Sequence, residues 1–192
     1  MMSRQYPFPV AYEEFPSPRR KFGELAHTSD PAFDTGFSGR LPDIEAYDVD
    51  AFAQGSLKRF TGSAIPSPDA LARGHDGKWY LVEFKNQRVG NVESKDILRK
   101  AAGGLTIAAM TMGQASAMRD VMSRIVYVVV FPRQDYSTQI GYWLAGQASD
   151  AGCKPLLWGV ERLIDATMVA DAFTIPDNEF AALAEEWFCN ER

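Results

Sequence analysis

The chain contains few of the residues on which several common kinds of catalytic site depend. It has two cysteines, Cys153 and Cys189, which lie far apart and match no metal-ligand spacing. Two reduced thiols are typical of a protein from the cytoplasm, which is the location that we expect. The two histidines, His27 and His75, lie in no recognisable motif. A zinc site or a Ser-His-Asp triad would need one of them, so neither kind of site is supported.

Long apolar runs are also missing from the sequence. The longest, Leu105–Met112 and Ile125–Phe131, are far shorter than the roughly 20 apolar residues of a membrane-spanning helix. The N-terminal segment contains no apolar stretch of the kind found in a secretory signal. We therefore expect no membrane partner. The prolines and aromatic residues near the N-terminus predict an extended arm over residues 1–40, packed on a single domain formed by residues 41–192.

The composition is that of an ordinary soluble globular protein, with 46% hydrophobic and 23% charged residues. The net charge is −5, which argues against a surface that coats nucleic acid broadly. The charge is unevenly spread, however. Residues 66–149 contain 10 basic and 7 acidic side chains, whereas residues 150–192 contain 3 and 9. The middle of the chain is therefore the only part with a basic balance.

The hydrophobic pattern predicts an α/β fold with a mixed central sheet and flanking helices. Ile125–Phe131 is a continuous run rich in β-branched residues, which is typical of a strand buried on both faces. Because a helix is predicted before this strand, a crossover and a parallel pairing are expected. The other predicted elements are a helix at Pro42–Phe60, a hairpin of residues 69–73 and Lys78–Asn86, a helix at Asn91–Met112 loosened by Gly103-Gly104, candidate strands at Leu156–Val160 and Ala172–Ile175, and a helix from Asp177 through Phe188.

The predicted strand Lys78–Asn86 has an unusual distribution of polar residues. Alternate residues of a strand face the same side of the sheet. One face therefore carries two apolar residues followed by Glu83, Lys85 and Gln87. A carboxylate and an ammonium group in a central strand are costly unless they are paired or bound to a metal. Such a departure from the pattern is expected at a functional site.

The preceding strand supplies a second carboxylate, Asp69. If the hairpin loop is His75–Gly77, with glycine in the left-handed position, then Gly74 pairs with Lys78. Counting outward from that pair places Asp69 opposite Glu83, with Cβ atoms about 4.5–5.5 Å apart. Two carboxylates this close repel each other unless a cation joins them. A divalent metal or an ammonium group would do so.

These residues carry a resemblance to a known family. Pro68-Asp69, a hairpin and then Glu83-Phe84-Lys85 resemble the PD-(D/E)XK signature of the restriction-endonuclease-like nucleases. The resemblance implies that Asp69 and Glu83 bind Mg²⁺ (or Mn²⁺) together with the main-chain carbonyl of Phe84. It also implies that Lys85 positions or activates the attacking water. Gln87 resembles an additional polar residue that some members have near the metal.

The resemblance covers roughly residues 43–131 and implies the family's αβββαβ core. The motif alone is short, because Pro42-Asp43, Pro176-Asp177 and Glu93-Ser94-Lys95 also match parts of it. Only the residues named above stand in a predicted strand–turn–strand setting. Two structural alternatives remain open: Glu83 and Lys85 as a charge pair on a half-exposed sheet face, and Asp69 as a turn residue.

The family also has an acidic residue on its first helix, for which Glu45, Asp48 and Asp50 are available. Glu45 lies one turn before Val49 on the core-facing stripe of the predicted helix, so we prefer it as a further metal ligand. A capping or surface role is equally open for all three carboxylates.

Basic residues follow the motif closely, namely Arg88, Lys95, Arg99 and Lys100. Lys95 and Arg99 are an i, i+4 pair, so one helix face would carry two cations near the metal. Together with Arg88 they are the predicted contacts to a phosphate backbone. A charged, solvated helix exterior is the alternative.

Two functions follow as hypotheses. The first is a metal-dependent nuclease that hydrolyses phosphodiester bonds, in DNA rather than RNA, and family analogy adds a homodimer as a candidate assembly. The second is a non-catalytic protein on the same scaffold, which binds nucleic acid or protein as an immunity or assembly factor. The acidic C-terminal third favours the second. A remoter alternative is a purely structural hairpin with the true site elsewhere, such as Trp143–Trp158, where no chemistry is recognisable.

Overall fold

The centre of the fold is a six-stranded mixed sheet whose strands lie side by side in chain order. The structure is a computed structural model of the chain. It describes residues 15–26, 41–87, 91–112, 118–132 and 156–189. Helices flank this sheet, so the predicted α/β fold class is confirmed. Within the described residues, no helix is long and apolar enough to cross a bilayer.

The described part of the chain contains six strands and seven α-helical segments. In chain order they are β1 (Arg19–Lys21), α1 (Phe22–Leu25), β2 (Glu45–Asp48), α2 (Val49–Phe52), a π-helical turn (Ala53–Leu57), α3 (Lys58–Thr61), β3 (Ala70–Arg73), β4 (Trp79–Phe84), α4 (Ser94–Met112), α5 (Met118–Met122), β5 (Ile125–Phe131), α6 (Glu161–Asp165), β6 (Asp171–Pro176) and α7 (Asp177–Phe188).

The type of strand pairing changes once across the sheet. Strands β1 to β4 pair antiparallel with their neighbours, whereas β4–β5 and β5–β6 pair parallel. The parallel pairing of β5 confirms the crossover predicted for a strand that follows a helix. All seven residues of β5 are buried, as the uninterrupted β-branched run indicated.

Two apolar clusters hold helices against the two faces of the sheet. On one face, Ile97, Ala101 and Leu105 of α4 share a cluster with Leu81 and Tyr127. On the other face, Phe180 and Ala184 of α7 share a cluster with alternate residues of β4 and β5, namely Tyr80, Val82, Phe84, Val126, Val128 and Val130. The predicted helix Asp177–Phe188 and its apolar face are therefore confirmed.

The helix predicted at Pro42–Phe60 is wrong in its first part. Glu45–Asp48 is strand β2, which pairs with both β1 and β3, so tertiary pairing outweighs the local helical periodicity. The helix begins only at Val49, where the Asp48 side chain accepts the backbone N–H of Ala51 at 2.7 Å. It ends at Gly62, which has a φ of 76°.

The two candidate strands predicted in the C-terminal third have different outcomes. Leu156–Val160 is not a strand but a series of turns leading into α6, and Gly159 there has a φ of 76°. Ala172–Ile175, in contrast, lies within β6 as predicted.

In the predicted N-terminal arm, the described residues 15–26 supply edge strand β1. Phe15 and Phe22 from this segment are buried in the two apolar clusters.

The glycine pair of α4 has a role other than the predicted loosening of the helix. The helix runs without interruption from Ser94 to Met112. A Cβ on Gly103 would lie 1.6 Å from the Pro66 carbonyl oxygen, and one on Gly104 would lie 2.7 Å from Cδ of Pro68. The segment that leads into Asp69 therefore packs directly on the backbone of α4.

Candidate active site

The hairpin register brings Asp69 opposite Glu83. The backbone N–H of Gly74 donates to the carbonyl of Lys78 at 3.0 Å, and Gly77 in the loop has a φ of 78°. The pairs then run outward to Ala70 and Val82, one step before the two acids. The predicted register, with its three-residue loop and left-handed glycine, is confirmed.

Asp69 is fixed by a main-chain hydrogen bond from the neighbouring strand. The backbone N–H of Phe84 donates to Oδ2 of Asp69 at 2.6 Å. The other oxygen, Oδ1, lies 3.7 Å from Nζ of Lys100, and the Asp69 side chain is 21% exposed. The carboxylate is therefore oriented by β4 while one edge of it stays accessible.

Glu83 is a buried carboxylate held by two ammonium groups. Its side chain is 1% exposed, and Oε1 lies 2.9 Å from Nζ of Lys85. Nζ of Lys100 lies 2.8 Å from Oε1 and 3.0 Å from Oε2. A carboxylate this deeply buried requires such pairing, because its ionised form loses its hydration. The predicted proximity of Asp69, Glu83 and Lys85 is thus present.

Lys100 joins the site although the sequence pattern assigns it no role there. It is one of the four basic residues after Lys85, of which Arg88, Lys95 and Arg99 are the predicted phosphate contacts. Lys100 lies on α4 between the buried Ile97 and Gly104, beside the stripe that faces the sheet. A lysine at the border of a buried helix stripe needs an acidic partner, and this signal could have indicated it.

Asp69 and Lys100 have shifted pKa values. Burial and the neighbouring Glu83 raise the pKa of Asp69 to about 7, although Lys100, the Phe84 N–H and Lys85 act in the opposite direction. Burial by itself would lower the pKa of Lys100, but Asp69 and Glu83 outweigh it and raise that pKa above its ordinary value. Lys100 therefore remains an ammonium ion, whereas Asp69 titrates near neutral pH.

Tyr127 of β5 lies near the two carboxylates, on the same face of the sheet as Leu81. Its hydroxyl is buried and donates to the main-chain carbonyl of Ile97 at 3.2 Å. Burial, Glu83 and Asp69 raise the pKa of Tyr127 well above its usual range, so the phenol stays neutral. This hydrogen bond ties the first turns of α4 to the sheet beneath the carboxylates.

The three acids proposed for the first helix take different places. Glu45 lies in strand β2, is exposed, and pairs in register with Lys21, so the reason for preferring it (a core-facing helix position) is wrong. Asp48 caps α2 and lies 3.3 Å from Arg20. Asp50 accepts the Ser67 hydroxyl at 3.0 Å and contributes to the raised pKa of Lys100. Asp50 is therefore the acid of this segment that acts on the site.

Phe84 and Gln87 are the remaining residues predicted near the metal. The Phe84 side chain packs on the opposite face of the sheet, 5.7 Å from the Phe22 ring, so only its main chain faces Asp69. Gln87 is exposed and lies beyond the end of β4, where strand alternation no longer fixes its direction.

The predicted phosphate contacts lie on α4 and just before it. Lys95 and Arg99 are both exposed on α4, and Arg99 pairs with Asp96 at 3.0 Å. Both side chains therefore face solvent on the outer side of the helix. Arg88 lies outside the described residues.

The donor set of the site fits a hard divalent cation. Asp69 and Glu83 supply carboxylate oxygens from adjacent strands, and Mg²⁺ is commonly bound by one or two carboxylates while it keeps several waters. In the part of the chain that the structure describes, no group of three or more His, Cys, Asp or Glu residues is close enough to hold a metal. A bound ion would therefore rely on these two acids, on main-chain oxygens and on water.

Comparison with protein-family models, with curated proteins and with solved structures gave no significant match.

Proposed function

We propose that the chain is a metal-dependent nuclease of the PD-(D/E)XK kind that hydrolyses phosphodiester bonds, with DNA as the preferred substrate. The observation that carries this proposal is the convergence of two opposed carboxylates and a lysine at the end of β4. Nζ of Lys85 lies 2.9 Å from Glu83, and Asp69 faces Glu83 across the hairpin. Few structural roles need two acids and a lysine at one point of a central sheet.

The arrangement of the elements supports the same proposal. A hairpin (β3–β4), a helix (α4) and a parallel strand (β5) follow one another as in the restriction-endonuclease-like core. The chain departs from the simple αβββαβ order, because strand β2 precedes the first long helical segment and β6 extends the sheet. The hairpin and α4, which carry the charged residues, still follow one another in the order that the resemblance implies, and this order supports the proposal.

Each residue has a specific task in this proposal. Mg²⁺ at Asp69 and Glu83 would polarise the phosphoryl oxygen and lower the pKa of a bound water. Asp69 is kept in orientation by the Phe84 N–H. An ammonium group has three N–H donors, so the contact of Lys85 with Glu83 leaves others for the attacking water and for developing negative charge.

The substrate would approach along the outer side of α4. Lys95 and Arg99 are exposed there, one to two turns before the glycine pair of the helix. Cations at this position would contact the phosphate backbone without reading bases. Arg88, between β4 and α4 in the chain, is proposed as a third contact.

Nicking of supercoiled plasmid in the presence of Mg²⁺ tests the proposal directly. Lys85→Ala should lower the rate by about 100-fold or more, the usual scale for removing a group that stabilises developing charge. Glu83 keeps Lys100 as a partner in this variant, so the fold should persist, which circular dichroism would check. Lys78→Ala, which changes an exposed lysine next to the hairpin loop, is the matched control and should cleave normally. Equal activity of Lys85→Ala and wild type would refute the assignment.

A second candidate function is a non-catalytic binding protein on the same scaffold, for example an immunity or assembly factor. The observation that favours it is Lys100, which already supplies a cation to both carboxylates. Titration with Mn²⁺ separates the two candidates. Binding that disappears in Asp69→Ala supports the nuclease, whereas no binding at millimolar Mn²⁺ supports the non-catalytic protein.

A further inference from the structure

The ammonium group of Lys100 lies close to both acids of the candidate metal site. Its Nζ is 2.8 Å and 3.0 Å from the two oxygens of Glu83 and 3.7 Å from Oδ1 of Asp69. It is the only group of the described residues that contacts both carboxylates. Both oxygens of Glu83 and Oδ1 of Asp69 therefore lie close to one ammonium group.

Lys100 would compete with a divalent ion for these oxygens. A metal ion would need the same carboxylate oxygens at about 2.0–2.1 Å, closer than an ammonium nitrogen approaches. An ammonium group left against both oxygens of Glu83 and Oδ1 of Asp69 would then be a few ångströms from a double positive charge, with strong repulsion at the low effective dielectric of a partly buried site. Lys85, in contrast, contacts only Oε1 of Glu83 and leaves the other oxygens to the metal. Metal binding therefore requires Lys100 to move.

Lys100 is also the lysine that is able to move. Its side chain is 28% exposed, whereas that of Lys85 is 12% exposed. It reaches the site from α4 on a flexible four-carbon stem, so rotation about its side-chain bonds would carry the ammonium group into solvent. Lys85 extends from the strand end that carries Glu83 and has less access to water.

We propose that Lys100 is an internal counter-ion that competes with the divalent metal for Asp69 and Glu83 and so sets the metal affinity of the site. In the metal-free protein it neutralises the two acids and keeps them in position. On metal binding it leaves them for solvent. This inference rests on the metal site of the proposed function, but it concerns affinity rather than cleavage.

Calorimetric titration with Mn²⁺ tests the proposal on wild type, Lys100→Met and Lys78→Met. Lys100→Met keeps most of the stem and removes the charge, so it should bind Mn²⁺ about tenfold more tightly, the scale on which groups next to metal ligands act. Lys78→Met, which changes an exposed lysine beside the hairpin loop, should bind as wild type does. Lys100→Arg, which keeps the charge, should not gain affinity.

A second measurement separates a competitor from a merely structural lysine. Without metal, Lys100→Met should melt at a lower temperature than wild type, because the acids repel each other. Saturating Mn²⁺ should then raise its melting temperature by more than it raises that of wild type. If Lys100→Met does not fold without metal, Lys100→Gln, whose amide can still donate to Glu83, replaces it in both measurements.

The outcomes distinguish this inference from the nuclease proposal. Affinity in Lys100→Met that is equal to or weaker than that of wild type overturns the inference, even if wild type cleaves DNA. Tighter binding in Lys100→Met supports it, even if neither protein cleaves. No binding by any of the proteins at millimolar Mn²⁺ overturns the inference and also counts against the nuclease proposal, which the plasmid assay tests separately.

Discussion

The carboxylate of Asp69 accepts the backbone N–H of Phe84 at 2.6 Å, so the acid before β3 is bonded to the last residue of β4. This hydrogen bond favours the ionised carboxylate. Burial and the charge of Glu83 outweigh it, and the pKa of Asp69 is raised to about 7. Asp69 is thus held in a fixed orientation while its charge depends on pH in the physiological range.

The raised pKa predicts a characteristic pH dependence of stability in metal-free protein. A carboxyl group whose pKa is higher in the folded state stabilises the fold when protonated, and this contribution is lost as pH rises through the folded-state value. The wild type should therefore lose stability relative to Asp69→Asn as pH rises from about 4 to about 7. Urea unfolding in EDTA at several pH values measures this. A constant difference between the two proteins over that range would contradict the pKa shift.

Removing the charge of Glu83 should destabilise the metal-free protein. Glu83→Gln keeps the shape of the side chain but leaves Lys85 and Lys100 without their anionic partner in a partly buried site. We expect a loss of about 2–4 kcal/mol in the free energy of unfolding. Asp96→Asn is the matched control, since its pair with Arg99 is exposed and should contribute about 0.5 kcal/mol or less. Equal losses in the two variants would show that the Glu83 cluster contributes no more than a surface pair.

Two helical glycines, Gly103 and Gly55, predict opposite outcomes when each is replaced by alanine. Gly103→Ala places a methyl group against the Pro66 carbonyl oxygen, and the backbone must shift, at a cost of about 2–3 kcal/mol. Gly55 is also helical, but a methyl group there would have no neighbouring atom within 4 Å, so Gly55→Ala should stabilise by about 0.5–1 kcal/mol. Denaturant unfolding measures both changes. A neutral Gly103→Ala would mean that the Pro66 segment does not pack on α4.

The exposed cations of α4 predict the salt dependence of DNA binding. If Lys95 and Arg99 contact phosphates, the double alanine variant should reduce the slope of log affinity against log salt by about 1–2. Fluorescence anisotropy with a short duplex, in Ca²⁺ to prevent cleavage, measures this slope. Lys78→Ala, at the hairpin loop, should leave it unchanged. An unaltered slope in the double variant would remove α4 from the proposed DNA path.

The hairpin was predictable because its determinants are local. The Asp76-Gly77 turn fixes the loop length, and the strand period of two then fixes every pair from Gly74–Lys78 outward to Asp69 and Glu83. Burial of β5 and the apolar face of α7 followed from equally local patterns. In each of these cases the residues that decide the structure are close together in the sequence.

The sequence by itself therefore determined the register that opposes Asp69 and Glu83, since turn chemistry and side-chain alternation are local properties. Only the tertiary structure decided that Glu45 lies in a strand paired with the edge strand β1 and that Lys100 lies close to both carboxylates. It also decided that the missing side chain of Gly103 leaves room for the Pro66 carbonyl. Each of these depends on contacts between segments distant in sequence. Helical periodicity indicates which face of α4 is buried, but not which strand residue it meets, because that is set by how the helix packs on the sheet.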